Sequence, residues 1–276
     1  MSLNSLKVSI NKTRFNKNSL LNFSIVKDIF IPLIAPVILL IIWELLGENG
    51  IIRSSILPAP SVIGIALLDM LRTGELIEHL TISIIRVFEG FCLGAFLGIS
   101  FGVAIGLFKG AEKALNLIIG ILRPIPIVAW VPVLILWMGI DEASKITVIA
   151  IGSFWPILLN TIHGIKNTDK KYIEVAEILE KNKINVLTKV VLPSALPSIF
   201  TGLRIGIGTA WMSVIAAEII AASSGIGYKI AYARELSQPD IMLVGVFSIG
   251  IVGILIDVII KKLEFSIVKW NVNNRS

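Results

Sequence analysis

The chain is 276 residues long, 55% apolar and only 16% charged, with a mean hydropathy of +0.87, which excludes an ordinary water-soluble domain, in which about a quarter of residues are charged. Its single cysteine, Cys92, lies in an apolar stretch and excludes a disulfide framework or a cysteine-rich metal cluster. The net charge of +6 suggests a nucleic-acid partner, but the basic residues cluster beside apolar runs and lack interleaved aromatics, so no nucleic acid is expected and the excess reads as topogenic.

Residues 1–28 form a basic tail in which Lys7, Lys12, Arg14, Lys17 and Lys27 are spread too widely for a cleaved signal. The tail is expected to be retained on the cytoplasmic side. Crossing the ~30 Å hydrocarbon layer takes about 20 mostly apolar helical residues. Six segments meet or approach this, over about 29–46, 82–108, 115–138, 146–165, 199–222 and 241–260. The expected fold is an all-α membrane protein with about six transmembrane helices in a domain over 29–265, ending in a cytoplasmic tail over 266–276. An even number of crossings puts both ends on one side. Of the 25 Lys and Arg residues, Arg86, Arg123 and Arg204 fall in or at spans, and only Arg53, Arg72, Lys145, Lys229 and Arg234 fall opposite the tail. The positive-inside rule then places both termini and the segment 166–198 in the cytoplasm.

In the second span, Gly90, Gly94, Gly98, Gly102 and Gly106 recur every fourth residue and so share one helix face. Small-residue faces let membrane helices approach closely, so this is a packing signal. Arg86 and Glu89, three apart, are placed to pair. The third span contains Pro124, Pro126 and Pro132, which remove backbone donors and require a place inside the bundle, either as a kinked packing helix or as a broken helix lining a pathway. The fifth span repeats the small-residue face with Gly202, Gly206 and Ala210.

Charged groups in or near spans are costly unless paired, hydrated or snorkelling. Arg123 and Arg204 either snorkel to the cytoplasmic interface or, with Trp130, Trp211, Ser213 and Glu218, line a polar route for an anion. Glu218 has the further reading of an interfacial carboxylate. The two histidines, His79 and His163, form no zinc pattern, and neither a G-x-S-x-G elbow nor a Walker A loop occurs. No catalytic, metal or cofactor residues are expected, and the chain reads as a transporter subunit rather than an enzyme. If transport is ATP-driven, ATP and Mg²⁺ belong on another chain.

Between the fourth and fifth spans, Asp169 suits a helix N-cap, and Tyr172, Val175, Ala176 and Leu179 follow at i, i+3, i+4 and i+7. This short amphipathic helix lies on a surface or docks a partner. Asn182 can stop it in the left-handed conformation. A second apolar run, Val186 to Leu192, is expected to halt at Pro193, with Pro197 in the first turn of the fifth span.

This loop resembles the EAA signature of binding-protein-dependent ABC importer permeases: Glu-Ala-Ala, three residues, Gly, nine residues, Ile, one residue, Leu-Pro. Glu174, Val175 and Ala176 take the first three places, Val190 the Ile place, and Leu192-Pro193 the closing pair, while Glu180 stands where the family has Gly. Further stretches similar to the nitrate, sulfonate and taurine branch are Ile56–Ser61, Leu122–Pro126, Trp137–Asp141, Leu192–Pro197, Ala217–Ile220, Ser223–Tyr228 and Ala233–Glu235. The resemblance implies a type I ABC importer permease fold in the bacterial cytoplasmic membrane. It also implies a second permease chain, identical or similar, two cytoplasmic ABC ATPase subunits and an external solute-binding protein. The loop would be the ATPase-coupling element, with Tyr172, Glu174, Val175, Ala176, Leu179, Glu180, Leu192 and Pro193 as its contact residues. The implied solute is a small anion such as an aliphatic sulfonate, taurine or nitrate. A vitamin-precursor importer permease and, outside this class, a stand-alone secondary carrier are the alternatives.

Overall fold

The computed structural model describes residues 34–178 and 182–267, and every regular element among them is helical. The basic tail, the C-terminal residues 268–276, and the motif positions Leu179 and Glu180 lie outside the described residues. The chain divides into one unit up to Ser61 and a second from Val62.

In the first unit, helix α1 spans 34–48 and is followed by a turn with Gly50 at a positive φ of 68°. Helix α2 (Pro60–Arg72) opens on a proline whose missing N–H would have had no helical partner there. The Ser61 N–H and Oγ both donate to the Glu44 carboxylate, at 2.9 and 2.5 Å, which satisfies one of the first-turn amides a helix leaves open.

The second unit continues with α3 (Glu75–Leu107), α4 (Lys109–Leu122), α5 (Ile127–Met138), α6 (Glu142–Lys166), α7 (Lys170–Ile178), α8 (Lys183–Val186), a π-helical turn (Leu187–Val191), α9 (Leu192–Ala221), α10 (Ile226–Glu235) and α11 (Pro239–Ile267). Helix α6 is the central element, flanked by α3 and α9. A Cβ added at Gly90, Gly94, Gly98, Gly102 or Gly106 would come within 2.6, 2.1, 3.0, 2.6 and 2.9 Å of Ile149, Ser153, Ile157, Thr161 and Ile165 in turn. Both series ascend in steps of four, so α3 and α6 run parallel along a glycine seam, and the spacing does serve packing. On the other side, Gly202 lies against Asn160, Gly206 against Ile157, and Gly152 against Ser213. One series rises as the other falls, so α9 is antiparallel to α6. Because hydrophobic contact gains little in lipid, this close backbone approach supplies the dispersion contacts that hold the three helices together.

Helices α3, α6 and α11 and the continuous stretch Ile184–Ala221 are each long and apolar enough to cross a membrane, and α4 and α5 reach that length and hydropathy only as a pair, bent by 99° at their junction. The first predicted span begins outside the described residues and continues as α1. Helices overrun the hydropathy limits: α3 begins at Glu75, with Glu75 and Glu78 in its first turn, because a helix continues into the interface, where acidic groups favour its N-terminus.

The third span is broken into two helices and is not one kinked helix. Pro124 and Pro126 lie at the bend, and Pro126 disfavours helical geometry at Ile125. Expected burial of the whole segment is not met. Helix α4 buries none of its residues within this chain, while α5 packs Val131 and Leu134 onto Val148 and Ala217. The expected halt at Pro193 is also corrected: α8, the π-turn and α9 are continuous, and the Leu192 N–H donates to Leu187 O just before the proline. A wider turn relieves the clash of the Pro193 ring with the preceding helical carbonyl.

Candidate functional site

Two places concentrate polar chemistry, one at each end of α6. Beyond its C-terminal end, Asp169 Oδ1 accepts the Lys171 N–H at 2.9 Å, the predicted N-cap of α7. Asn182 begins α8, its Oδ1 accepting the Asn185 N–H at 2.8 Å. The apolar residues of α7 differ in exposure: Ala176 is 6% exposed, whereas Tyr172, Val175 and Ile178, the last outside the predicted pattern, are 61%, 54% and 79% exposed. Glu174 is exposed beside them. An open groove of about 920 Å³ separates α7 from the π-turn and the start of α9, lined by Tyr172, Val175, Ala176, Val186, Val190 and Pro193. Leu192 is half-buried at the head of α9. Helices α7 and α8 are thus each capped at the N-terminus by a side chain, Asp169 and Asn182 respectively.

At the opposite end of α6 lies a buried ionic network. Arg86 donates through Nε and Nη2 to both Glu142 oxygens at 2.6 and 2.7 Å, and through Nη1 to Glu218 Oε1 at 2.8 Å and the Ser224 carbonyl at 2.7 Å. The expected pairing of Arg86 with Glu89 is therefore replaced by pairs to α6 and α9. Glu218 faces the interior of the protein. It is buried and also accepts from Ser83 Oγ at 2.8 Å and from the Gly227 N–H at 2.9 Å. The Ile226 N–H donates to Ser83 Oγ at 3.0 Å and the Gly225 N–H to His79 Nδ1 at 3.1 Å. Three successive amides that open α10 thus find partners on α3 and α9, where a helix start has none of its own. Gly225 has φ 106°, and a Cβ there would meet Glu218 Oε1 at 2.2 Å, so this close approach requires glycine. Lys145 and Glu142 form another pair at 3.0 Å, and Lys229 is ion-paired with Glu75. Arg86 lies 56 residues from Glu142 and 132 from Glu218, so spacing along the chain does not pair them; the signals available were the charges inside apolar spans and the stretches Ala217–Ile220 and Ser223–Tyr228.

The six residues expected along a polar route are not brought together. Arg123 is exposed at the α4–α5 bend, and Trp130 packs beside Val131, its indole nitrogen buried without an acceptor among the described residues. Arg204 does not snorkel free but forms a bidentate pair with Asp257 of α11 at 2.8 and 3.0 Å. Trp211 is buried and donates to the Ile249 carbonyl at 3.1 Å. Ser213 is buried against Gly152 and donates to Thr209 O at 2.7 Å. Glu218 belongs to the network.

Comparison with known proteins resolves the class. The family model described as "binding-protein-dependent transport system inner membrane component" matches residues 90–269. The chain belongs to this family. It is 40% identical over 238 residues to the putative aliphatic sulfonates transport permease protein SsuC of Bacillus subtilis, covering 86% of each chain. It is 33% identical to the taurine transport system permease protein TauC of Escherichia coli, covering 85% of this chain and 87% of that one. Among solved structures, a chain of the inward-facing MetNI methionine ABC transporter aligns with a TM-score of 0.58 at 18% identity, covering 67% of this chain and 92% of that one, a likeness of fold. The chain is therefore a membrane-embedded ABC importer permease subunit and not an enzyme.

Proposed function

We propose that this permease forms the pathway of an ATP-driven importer for a small organic anion, an aliphatic sulfonate or taurine being the class its relatives' names favour. Two such chains enclose the route. Two ATPase subunits, which carry ATP and Mg²⁺, bind the cytoplasmic face, and a solute-binding protein delivers solute from outside. Both termini lie in the cytoplasm, as the distribution of Lys and Arg supports. Helix α7 is the coupling element. It offers Tyr172, Val175 and Ile178 as apolar contacts and Glu174 as the charged one, while Ala176 faces the chain's own groove. Leu179 and Glu180 continue the motif, and Leu192-Pro193 joins it to α9. Arg123, exposed at the α4–α5 bend, is the residue of the expected route most accessible to solute.

The observation that carries the coupling assignment is an exposed apolar helix, end-capped by Asp169, within a motif matched from Glu174 to Pro193. Reconstitution with the ATPase and binding protein tests the whole reading. Sulfonate-loaded binding protein should stimulate both ATP hydrolysis and uptake into vesicles. Uptake by the permease alone, without ATPase, would instead identify a secondary carrier.

A further inference from the structure

At the end of α6 remote from α7, three donors converge on one carboxylate. Arg86 Nε and Nη2 and Lys145 Nζ all donate to Glu142, at 2.6, 2.7 and 3.0 Å. The donors are buried and the acceptor is not: the side chains of Arg86 and Lys145 are 4% and 5% exposed, that of Glu142 57%. Two buried cations thus face a carboxylate that is free to turn outward. Glu142 is the first residue of α6, so its side chain can leave by rotating about its own torsions while the helix stays in place.

Arg86 would not follow it. Its Nη1 is tied to Glu218 and to the Ser224 carbonyl, which keeps the Nε–Nη2 edge aimed at the position the carboxylate vacates. That edge matches two oxygens of a carboxylate or sulfonate. Ser224 Oγ, which accepts from Nη2 at 3.1 Å, keeps its own proton free to donate. Alongside lies a cavity of about 370 Å³ whose walls include Lys145, Ile135, Ile140, Ile220, Ala222 and Ser223. A cationic amine in a largely aliphatic wall suits an anion with a short hydrocarbon part.

We propose that Arg86 and Lys145 form an oxyanion-binding site at this mouth of the permease, with the Glu142 carboxylate as a built-in ligand that the acidic head of a small organic anion replaces. The hydrocarbon part of the solute then occupies the Ile135–Ile140–Ile220 cavity. Releasing Glu142 with nothing in its place would leave buried positive charge uncompensated, which is strongly unfavourable. The exchange therefore makes departure of Glu142 conditional on arrival of an anion. The proposal rests on the organic-anion reading above and adds a site to it.

The test uses the full chain in lipid nanodiscs, with Glu142→Ala removing the built-in ligand. Thermal unfolding is followed against sodium methanesulfonate, with sodium chloride at equal ionic strength as the control. The expected result is a melting temperature several degrees below wild type that methanesulfonate, and not chloride, restores with saturation. Lys145→Met added to Glu142→Ala should raise the half-restoring concentration about tenfold or more, as loss of a charge-assisted hydrogen bond predicts. Equal effects of the two salts, or no restoration, would overturn the site. Glu142→Gln supplies a folded comparison should the alanine variant not assemble: its melting temperature should rise with methanesulfonate beyond the chloride control, and the site is wrong if it does not. In reconstituted vesicles, Lys145→Met alone should raise the half-saturating sulfonate concentration for uptake about tenfold, and wild-type uptake would count equally against the site. Wild-type vesicles that take up no sulfonate would overturn the solute assignment, whereas the melting series tests the site without transport.

Discussion

Replacing Gly94 by alanine tests the claim that backbone contact along the α3–α6 seam holds the bundle. The new methyl group would sit 2.1 Å from Ser153 Oγ, 2.5 Å from the Ala150 carbonyl oxygen and 3.2 Å from Ala150 Cα. The serine hydroxyl could rotate, at the expense of its bonds to the Ile149 and Ala150 carbonyls at 3.1 Å. The Ala150 carbonyl cannot, because it belongs to the helix backbone. Against an ordinary carbon–oxygen contact of about 3.3 Å, the shortfall is about 0.8 Å, and α3 and α6 must part by about that distance. Neighbouring seam contacts at Gly90 and Gly98 would loosen with it. Overpacking of this kind costs about 1–3 kcal/mol, offset by about 0.5–1 kcal/mol of helix propensity gained when alanine replaces glycine. The net effect should be a loss of about 1–2 kcal/mol. Gly64→Ala in α2 is the matched control, since nothing lies within 4 Å of its added Cβ, and it should be neutral or slightly stabilising. Fluorimetric thermal unfolding of the purified full-length chain would compare the two, and at about 2–4 °C per kcal/mol Gly94→Ala should melt a few degrees below wild type. Equal melting temperatures for the two variants would refute the seam as the element holding α3 to α6.

Gly225→Ala should disrupt the network far from any span centre, because φ 106° and the 2.2 Å approach to Glu218 both exclude a side chain; faster amide exchange at the start of α10 would reveal it, and unchanged protection would contradict the amide-docking account. Asp169→Ala removes the cap of α7 and should destabilise that helix by about 1 kcal/mol, lowering ATPase affinity in a pull-down or interferometry titration while sparing the melting of the span bundle. Tyr172→Ala and Ile178→Ala should weaken the same ATPase association more than Ala176→Gly does, since only the first two are exposed; the reverse order would place the docking face on the groove side. Arg204→Asp and Asp257→Arg should each lower expression of folded protein and restore it when combined, because the pair is mutual and bidentate; failure of the double variant would show that one of the two charges has another role.

The apolar runs that become α3, α6, α9 and α11 and the N-cap Asp169 were legible in the sequence, because each is a local property. An apolar run of sufficient length announces a membrane helix whatever surrounds it, and a cap such as Asp169 lies next to the helix it begins. The glycine spacing likewise specified a close-packed face, though not which helix would fill it. Tertiary structure alone decided that α6 fills it in parallel register, since a seam is a relation between two helices and each sequence stretch carries only half. It also decided the fate of the intramembrane charges. Local spacing offers Arg86 a partner at Glu89, but α6 and α9 bring Glu142 and Glu218 to the guanidinium at under 3 Å, a choice made by the packing of three helices and not by spacing along one. Trp211 and Ser213 read as pathway residues from their chemistry but lie in the packed interior, because burial within a long apolar helix depends on which face its neighbours cover, and hydropathy averages over all faces.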